Sequence, residues 1–131
     1  MSKNLFDLHG RTALITGGNG GIGLGIAKGF AESGANIAIA GRNTTKTEEV
    51  VANFRDRNTS AIGIEVDVAD QESVQDMIGN TLEAFGRIDI LVNNAGIGIR
   101  NLPHEYPLED WNKVIDINLT GAFLCSKAVY P

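Results

Sequence analysis

The stretch that decides the fold is Thr16-Gly17-Gly18-Asn19-Gly20-Gly21-Ile22-Gly23, which follows the apolar run Ala13-Leu14-Ile15. An apolar segment with helical periodicity comes directly after it, so the pattern predicts a strand that turns through glycines into a helix. Glycines suit such a turn because it needs unusual backbone angles, and because a side chain would hold a pyrophosphate away from the amides at the helix N-terminus. The stretch therefore predicts a site for the phosphates of a dinucleotide.

The rest of the chain alternates apolar runs with helix-periodic segments. Strands are predicted at about 11–16, 36–40, 61–66 and 88–92, and helices at about 22–33, 44–57, 70–85 and 107–129. Repeated strand–helix–strand units form parallel sheets with helices on both faces. The predicted fold class is therefore α/β, a Rossmann-type doubly wound parallel sheet in one domain over residues 1–131. The strand order 3-2-1-4 leaves the fourth strand at an open edge, so we expect the sheet to be incomplete on the C-terminal side.

Composition excludes several classes of function. The 131 residues carry a net charge of −5 without a basic run, which argues against nucleic acid or an anionic membrane as partner. A single cysteine excludes an internal disulfide, and with only two histidines no metal site is predicted. No apolar run approaches the roughly 20 residues of a membrane span, and no signal-peptide pattern opens the chain, so we expect a cytoplasmic protein.

Four motifs occur in a characteristic order: Thr16-Gly17-x-x-x-Gly21-Ile22-Gly23, Asp67-Val68, Asn93-Asn94-Ala95-Gly96 and Asn118-Leu119-Thr120-Gly121. In order and spacing they resemble those of the short-chain dehydrogenases/reductases, and the resemblance covers essentially the whole chain. Members of that family are about twice as long, and their catalytic Ser and Tyr-x-x-x-Lys fall in the half that would follow Pro131. The chain thus resembles the N-terminal, cofactor-binding half of such an enzyme, and we expect it to be inactive alone.

The resemblance implies NADP or NAD as cofactor. Arg42 would lie at the tip of the second strand beside the adenosine ribose, where a cation favours a 2′-phosphate, so NADP is the expected preference. A solvated arginine ahead of a helix is the alternative, because the place in the glycine turn that often carries a second basic residue in NADP enzymes of the family is neutral here, Asn19-Gly20. The expected cofactor contacts are Gly17, Asn19, Gly21, Ile22, Gly23, Arg42, Asp67, Val68, Asn94, Ala95 and Gly96.

The motifs at Asp67 and at Asn93-Asn94-Ala95-Gly96 follow the third and fourth predicted strands. The resemblance implies that Asp67 meets the adenine, and the alternative is a carboxylate that caps the helix beginning near Asp70. Small residues after the fourth strand would let the backbone approach the nicotinamide ribose at the switch point of the sheet. Asn93 is expected to be a scaffold residue there rather than a cofactor contact.

Asn118 is the candidate catalytic residue. By steps of three, four and seven it shares a helical stripe that is expected to face the sheet, so we expect a buried amide. The resemblance implies that this asparagine holds a water linking the catalytic lysine to solvent, and the alternative is a satisfied core amide. The other members of the stripe are Trp111, Val114, Ile115, Ala122 and Cys125.

The predicted function is hydride transfer between a nicotinamide cofactor and an alcohol or ketone. The segment Ile99-Arg100-x-x-Pro103-His104-Glu105 resembles the corresponding sequence in gluconate and deoxygluconate dehydrogenases of the family. This resemblance implies a small sugar acid as substrate, and Arg100 could bind its carboxylate. A 3-oxoacyl thioester reductase and a noncatalytic nucleotide-binding fragment are the alternatives. For the full-length protein we expect a small-molecule substrate and a homo-oligomer, either a dimer or a tetramer.

Overall fold

The computed structural model describes residues 4–131, so the first three residues of the predicted domain lie outside it. Seven elements lie in strict strand–helix alternation, followed by a run of helical segments after the last strand. They are β1 (Thr12–Thr16), α1 (Gly21–Glu32), β2 (Asn36–Gly41), α2 (Thr44–Asp56), β3 (Ala61–Glu65), α3 (Gln71–Phe85) and β4 (Ile90–Val92), then a 3₁₀ turn (Pro103–Glu105), α4 (Leu108–Ile115), a π-helical segment (Asp116–Thr120) and α5 (Gly121–Val129). The α/β prediction is confirmed, with strand and helix ends displaced by one or two residues.

The four strands form one parallel sheet in the order β3-β2-β1-β4. Thr12 of β1 lies opposite Asn36 of β2, and Ala13 lies opposite Ile90 of β4. Over residues 4–131, β4 has β1 as its one neighbour. It is two residues shorter than predicted. Just before it, the N–H of Asp89 donates to the carbonyl of Thr12 at 2.9 Å, and the Asp89 carboxylate accepts a hydrogen bond from the N–H of Thr12 at 2.8 Å.

Helices cover both faces of the sheet, as the buried strands require. Successive β1 side chains alternate between the faces, so Ile15 packs toward α1 and α2 while Leu14 packs toward α3 and α5. Every residue of β1 is buried. Among residues 4–131, no helix combines the length and the apolar content that a membrane crossing needs.

The last helix differs from the prediction of one continuous element over 107–129. Residues 116–120 form a π-helical segment, in which the N–H of Gly121 donates to the carbonyl of Asp116. A π turn holds more residues than an α turn, so it rotates the helix before it relative to α5. Cys125 is buried, but Trp111 is 57% exposed and Asn118 is exposed as well. The prediction of a buried Asn118 on an apolar stripe facing the sheet is therefore wrong.

Candidate functional site

The glycine turn joins β1 to α1 at the carboxyl edge of the sheet. Gly17 and Gly21 have φ angles of +66° and +54°, a region that glycine enters without steric cost. A Cβ added at Gly21 would meet no atom within 4 Å, so the turn opens onto free space. The N-cap residue Gly20 supplies no side-chain acceptor to the first turn of α1. The turn therefore offers uncapped backbone N–H groups to an anion, as a phosphate site requires.

The end of β4 is fastened to the glycine turn by Thr16 and Asn94. The Thr16 hydroxyl oxygen accepts hydrogen bonds from the backbone N–H groups of Asn94 and Ala95, both at 3.1 Å. The Asn94 side chain donates to the carbonyl of Gly17 at 3.1 Å. A Cβ at Gly23 would lie 2.4 Å from Asn94 Nδ2, so this glycine permits close packing beneath the turn. Asn93, as expected of a scaffold residue, bonds elsewhere, from its Nδ2 to Ser126 Oγ at 3.0 Å.

A cavity of about 290 Å³ lies between the glycine turn, the ends of β2 and β3 and the loop after β4. We call this cavity the cleft. Of the predicted cofactor residues, Gly17, Asn19, Arg42, Asp67, Val68, Ala95 and Gly96 line it, together with Gly41, Asn43, Lys46, Val66, Ile97 and Ile117. The remaining four do not: Gly21 lies in the open turn, Ile22 is 78% exposed, and Gly23 and Asn94 pack beneath the turn.

Two cations line the cleft at the junction of β2 and α2. Arg42 follows β2 directly, and Lys46 belongs to the first turn of α2. Both are exposed, and across residues 4–131 no carboxylate lies within ion-pair distance of either. Lys46 was not among the predicted cofactor contacts. The signal in the sequence was its position four residues after Arg42, in the first turn of the helix that follows β2.

Asp67 lines the cleft at the end of β3 and does not cap α3. The cap is Asp70, whose carboxylate accepts from the N–H of Glu72 at 3.0 Å. The Asp67 side chain instead accepts from the N–H of Ala69 at 3.0 Å, and its own N–H donates to Ser73 Oγ at 2.9 Å. The capping alternative for Asp67 is therefore wrong, and its carboxylate stands at the edge of the cleft.

Asn118 holds the loop that follows β4. Its Oδ1 accepts from the N–H of Ile97 at 2.8 Å and its Nδ2 donates to the carbonyl of Ile97 at 2.9 Å. A Cβ at Gly96 would lie 3.2 Å from Asn118 Oδ1. Both polar groups of the amide thus have partners at the loop, although the residue is exposed.

Three other side chains lie apart from the cleft or play no chemical part in it. Arg100 is exposed in the loop beyond β4 and does not line the cleft. Burial raises the pKa of the Cys125 thiol to about 11, so it stays protonated at neutral pH and serves as a small core residue. His104 lies 3.8 Å from the Glu105 carboxylate on the surface. In the part of the chain that the structure describes, no group of three His, Cys, Asp or Glu residues could hold a metal.

A parallel sheet with a glycine turn after its first strand, and a cleft where the strand order reverses, is the arrangement of the Rossmann-type fold. A family model described as "short chain dehydrogenase" matches residues 11–131. The chain therefore belongs to the short-chain dehydrogenase family.

Curated relatives of the chain carry different substrate names. A "Glucose 1-dehydrogenase 2" of Bacillus subtilis is 39% identical and covers 93% of the chain. A "3-oxoacyl-[acyl-carrier-protein] reductase" of Synechocystis is 42% identical over 93%, and a "2-dehydro-3-deoxy-D-gluconate 5-dehydrogenase" of Formosa agariphila is 37% identical over 98%. The chain covers 48%, 50% and 49% of these relatives, so it spans about half of their length.

A solved structure supports the same fold assignment. The short-chain type dehydrogenase/reductase from Mycobacterium marinum superimposes with a TM-score of 0.92 at 38% sequence identity. The match covers 95% of this chain and 51% of the other. The family and the fold are therefore shown, while the relatives do not agree on one substrate.

Proposed function

We propose that the full-length protein is an NADP(H)-preferring oxidoreductase that transfers hydride between the nicotinamide and an alcohol or ketone. The observation that carries this proposal is the open glycine turn beside the cleft. Gly21 has left-handed backbone with free space above it, which is the form of a pyrophosphate cradle. When bound, the nicotinamide supplies or accepts the hydride, and the chain holds and orients it.

Each region of the cleft suits one part of that cofactor. The uncapped N–H groups of α1 would hold the pyrophosphate, because they carry the positive end of the helix dipole. The Asp67 carboxylate would accept a hydrogen bond from the exocyclic amine of the adenine, with Val68 buried beside it. Ala95 and Gly96 have little or no side chain, so the loop after β4 would allow the nicotinamide ribose to approach its backbone.

The preference for NADP(H) rests on Arg42. Its guanidinium lines the cleft, is exposed, and has no acidic partner over residues 4–131. A guanidinium binds a phosphate through two parallel hydrogen bonds, whereas a ribose 2′-hydroxyl is better matched by a carboxylate.

For the substrate we propose a small sugar acid. The relative named "2-dehydro-3-deoxy-D-gluconate 5-dehydrogenase" supports it, as does the sequence around Arg100. Because Arg100 stands outside the cleft, it would meet a substrate that extends beyond the nicotinamide end. A 3-oxoacyl thioester is the second candidate, favoured by the 42% identical Synechocystis reductase. Side-by-side turnover of sugar acids and 3-oxoacyl thioesters by the full-length protein distinguishes the two.

Asn118 is proposed to act in the proton relay of the full-length enzyme. Its amide groups are bonded to Ile97, beside Gly96 of the cleft, so the residue would stand near the nicotinamide of the proposed cofactor. We further propose that the full-length enzyme works in the cytoplasm as a homo-oligomer. Its partner there would be a small-molecule substrate.

Nucleotide titration of the full-length protein tests the cofactor proposal. Loss of a charge-assisted contact to phosphate costs about 1.5–3 kcal/mol, so Arg42→Ala should weaken NADPH binding roughly tenfold or more. NADH binding should change little. Arg57→Ala, at an exposed arginine that ends α2 away from the cleft, is the matched control. A wild-type preference for NADH, or an Arg42 variant with an unchanged NADPH-to-NADH ratio, would refute the proposal.

A further inference from the structure

The α2 residue Lys46 lies where a side chain of the glycine turn would otherwise be. A Cβ built on Gly20 would stand 2.5 Å from Lys46 Nζ and 3.0 Å from its Cε. The lysine stem therefore crosses from α2 to the glycine turn, and its ammonium rests against the backbone of Gly20. The absence of a side chain at Gly20 leaves room for it.

The junction between the turn and α2 is fixed by other contacts. Asn19 Nδ2 donates to Thr47 Oγ1 at 3.1 Å, across 28 residues of sequence. Thr47 is buried, and a Cβ at Gly41 would lie 2.7 Å from Asn19 Nδ2. Asn43 caps α2 by accepting from the N–H of Lys46 at 3.1 Å. The backbone of Lys46 is thus held by the cap, and the neighbouring residue Thr47 is held to the turn.

We propose that Lys46 is the second cation of the 2′-phosphate site, supplied by α2 in place of a basic residue in the glycine turn. This inference rests on the proposed cofactor preference. Arg42 and Lys46 line the same cleft at the end of β2, and over residues 4–131 neither is neutralised by a carboxylate within ion-pair distance. Asp67 lines the other side of the cleft, where its Oδ1 accepts from Ala69.

The positive charge of Lys46 would replace the charge that a basic residue in the glycine turn would otherwise supply to the 2′-phosphate of NADP(H). Two cations around one dianionic phosphate bind it more tightly than a single arginine, and at exposed positions this gain falls as salt is added. Lys46 is accordingly a specificity residue. It should act on ligands that carry a 2′-phosphate and leave those that end in a 2′-hydroxyl unchanged.

Calorimetric titration of the full-length protein with 2′,5′-ADP and with 5′-AMP tests the inference. Lys46→Met keeps the length and apolar character of the stem but removes the charge. It should weaken 2′,5′-ADP about tenfold and leave 5′-AMP unchanged, and the salt dependence of 2′,5′-ADP binding should become shallower. Lys28→Met, on the exposed surface of α1 and outside the cleft, is the matched control and should change neither ligand. Thermal unfolding confirms that each variant is folded.

The possible results separate this inference from the proposed function. If the wild type favours 2′,5′-ADP and Lys46→Met retains that selectivity, the inference is wrong and the cofactor proposal stands. If the wild type does not distinguish the two ligands, the NADP(H) preference and the inference both fail. If neither ligand binds, the nucleotide site itself is refuted.

Discussion

Replacing Gly21 by alanine tests the phosphate cradle directly. Gly21 has a φ of +54°, and left-handed backbone costs a residue with a Cβ about 1–2 kcal/mol. The new methyl group would also project into the free space above the turn, where no atom lies within 4 Å. We expect Gly21→Ala to lower the free energy of unfolding by about 1–2 kcal/mol and to weaken NADPH binding at least ~10-fold, equivalent to ~1.4 kcal/mol.

Gly10 provides the matched control for backbone strain. It has a φ of +79°, a Cβ there would also meet nothing within 4 Å, and it precedes β1 at the edge of the sheet opposite the cleft. Gly10→Ala should therefore lose comparable stability while NADPH binding stays normal. Fluorescence titration of NADPH, with urea unfolding of the same samples, separates the two effects. Equal affinity of Gly21→Ala and wild type, or an equal loss in both variants, would show that the turn is not a phosphate cradle.

Three further predictions concern catalysis and stability. The 131-residue chain contains no Tyr-x-x-x-Lys segment, so the purified chain should oxidise no alcohol, and measurable turnover would contradict the family's catalytic assignment. The same chain should self-associate in gel filtration through the edge of β4 that has no neighbouring strand over residues 4–131. Asn118→Leu in the full-length protein should leave cofactor affinity near wild type and lower kcat roughly 10²–10⁴-fold, whereas a lower Tm with normal kcat per folded site would mean that the amide is purely structural. Asp89→Ala should cost about 1–3 kcal/mol at pH 7, because the buried N–H of Thr12 loses its acceptor. The Arg87 guanidinium lowers the pKa of the Asp89 carboxyl from 3.8 to about 2, so the wild type should lose the stabilisation by the charged Arg87–Asp89 pair as the pH falls from about 4 toward 2. An identical pH dependence of urea unfolding in Asp89→Ala would contradict the reasoning.

The parts of the fold that follow from local backbone demands could be predicted from the sequence. A glycine run between an apolar strand and a helix start has few alternative conformations, so the turn at Gly17 and Gly21 was predictable, and φ is positive at both. The alternation predicted parallel strands, because parallel strands need crossovers, and the strand order followed from the doubly wound fold that this alternation indicates. The structure confirms the turn and the strand order.

The parts that depend on distant segments were not predictable. Locating Lys46 beside Gly20 requires the approach of α2 to the glycine turn, which a contact 28 residues apart in sequence fixes. The stripe containing Asn118 was counted at 3.6 residues per turn, and a π-helical segment breaks that count. Asp67 and Asp70 are both plausible caps by composition, and only the backbone geometry selects Asp70.

The π-helical segment makes the position of Asn118 sensitive to the number of residues in the helix. An α-helix advances by about 100° per residue, so deleting one residue after Asn118 and restoring regular α geometry would turn this side chain about 100° relative to α5. The amide would then point away from Ile97, and both of its hydrogen bonds to the loop would be lost. Single-residue insertions and deletions in this helix should consequently be tolerated far less well than substitutions on its exposed surface.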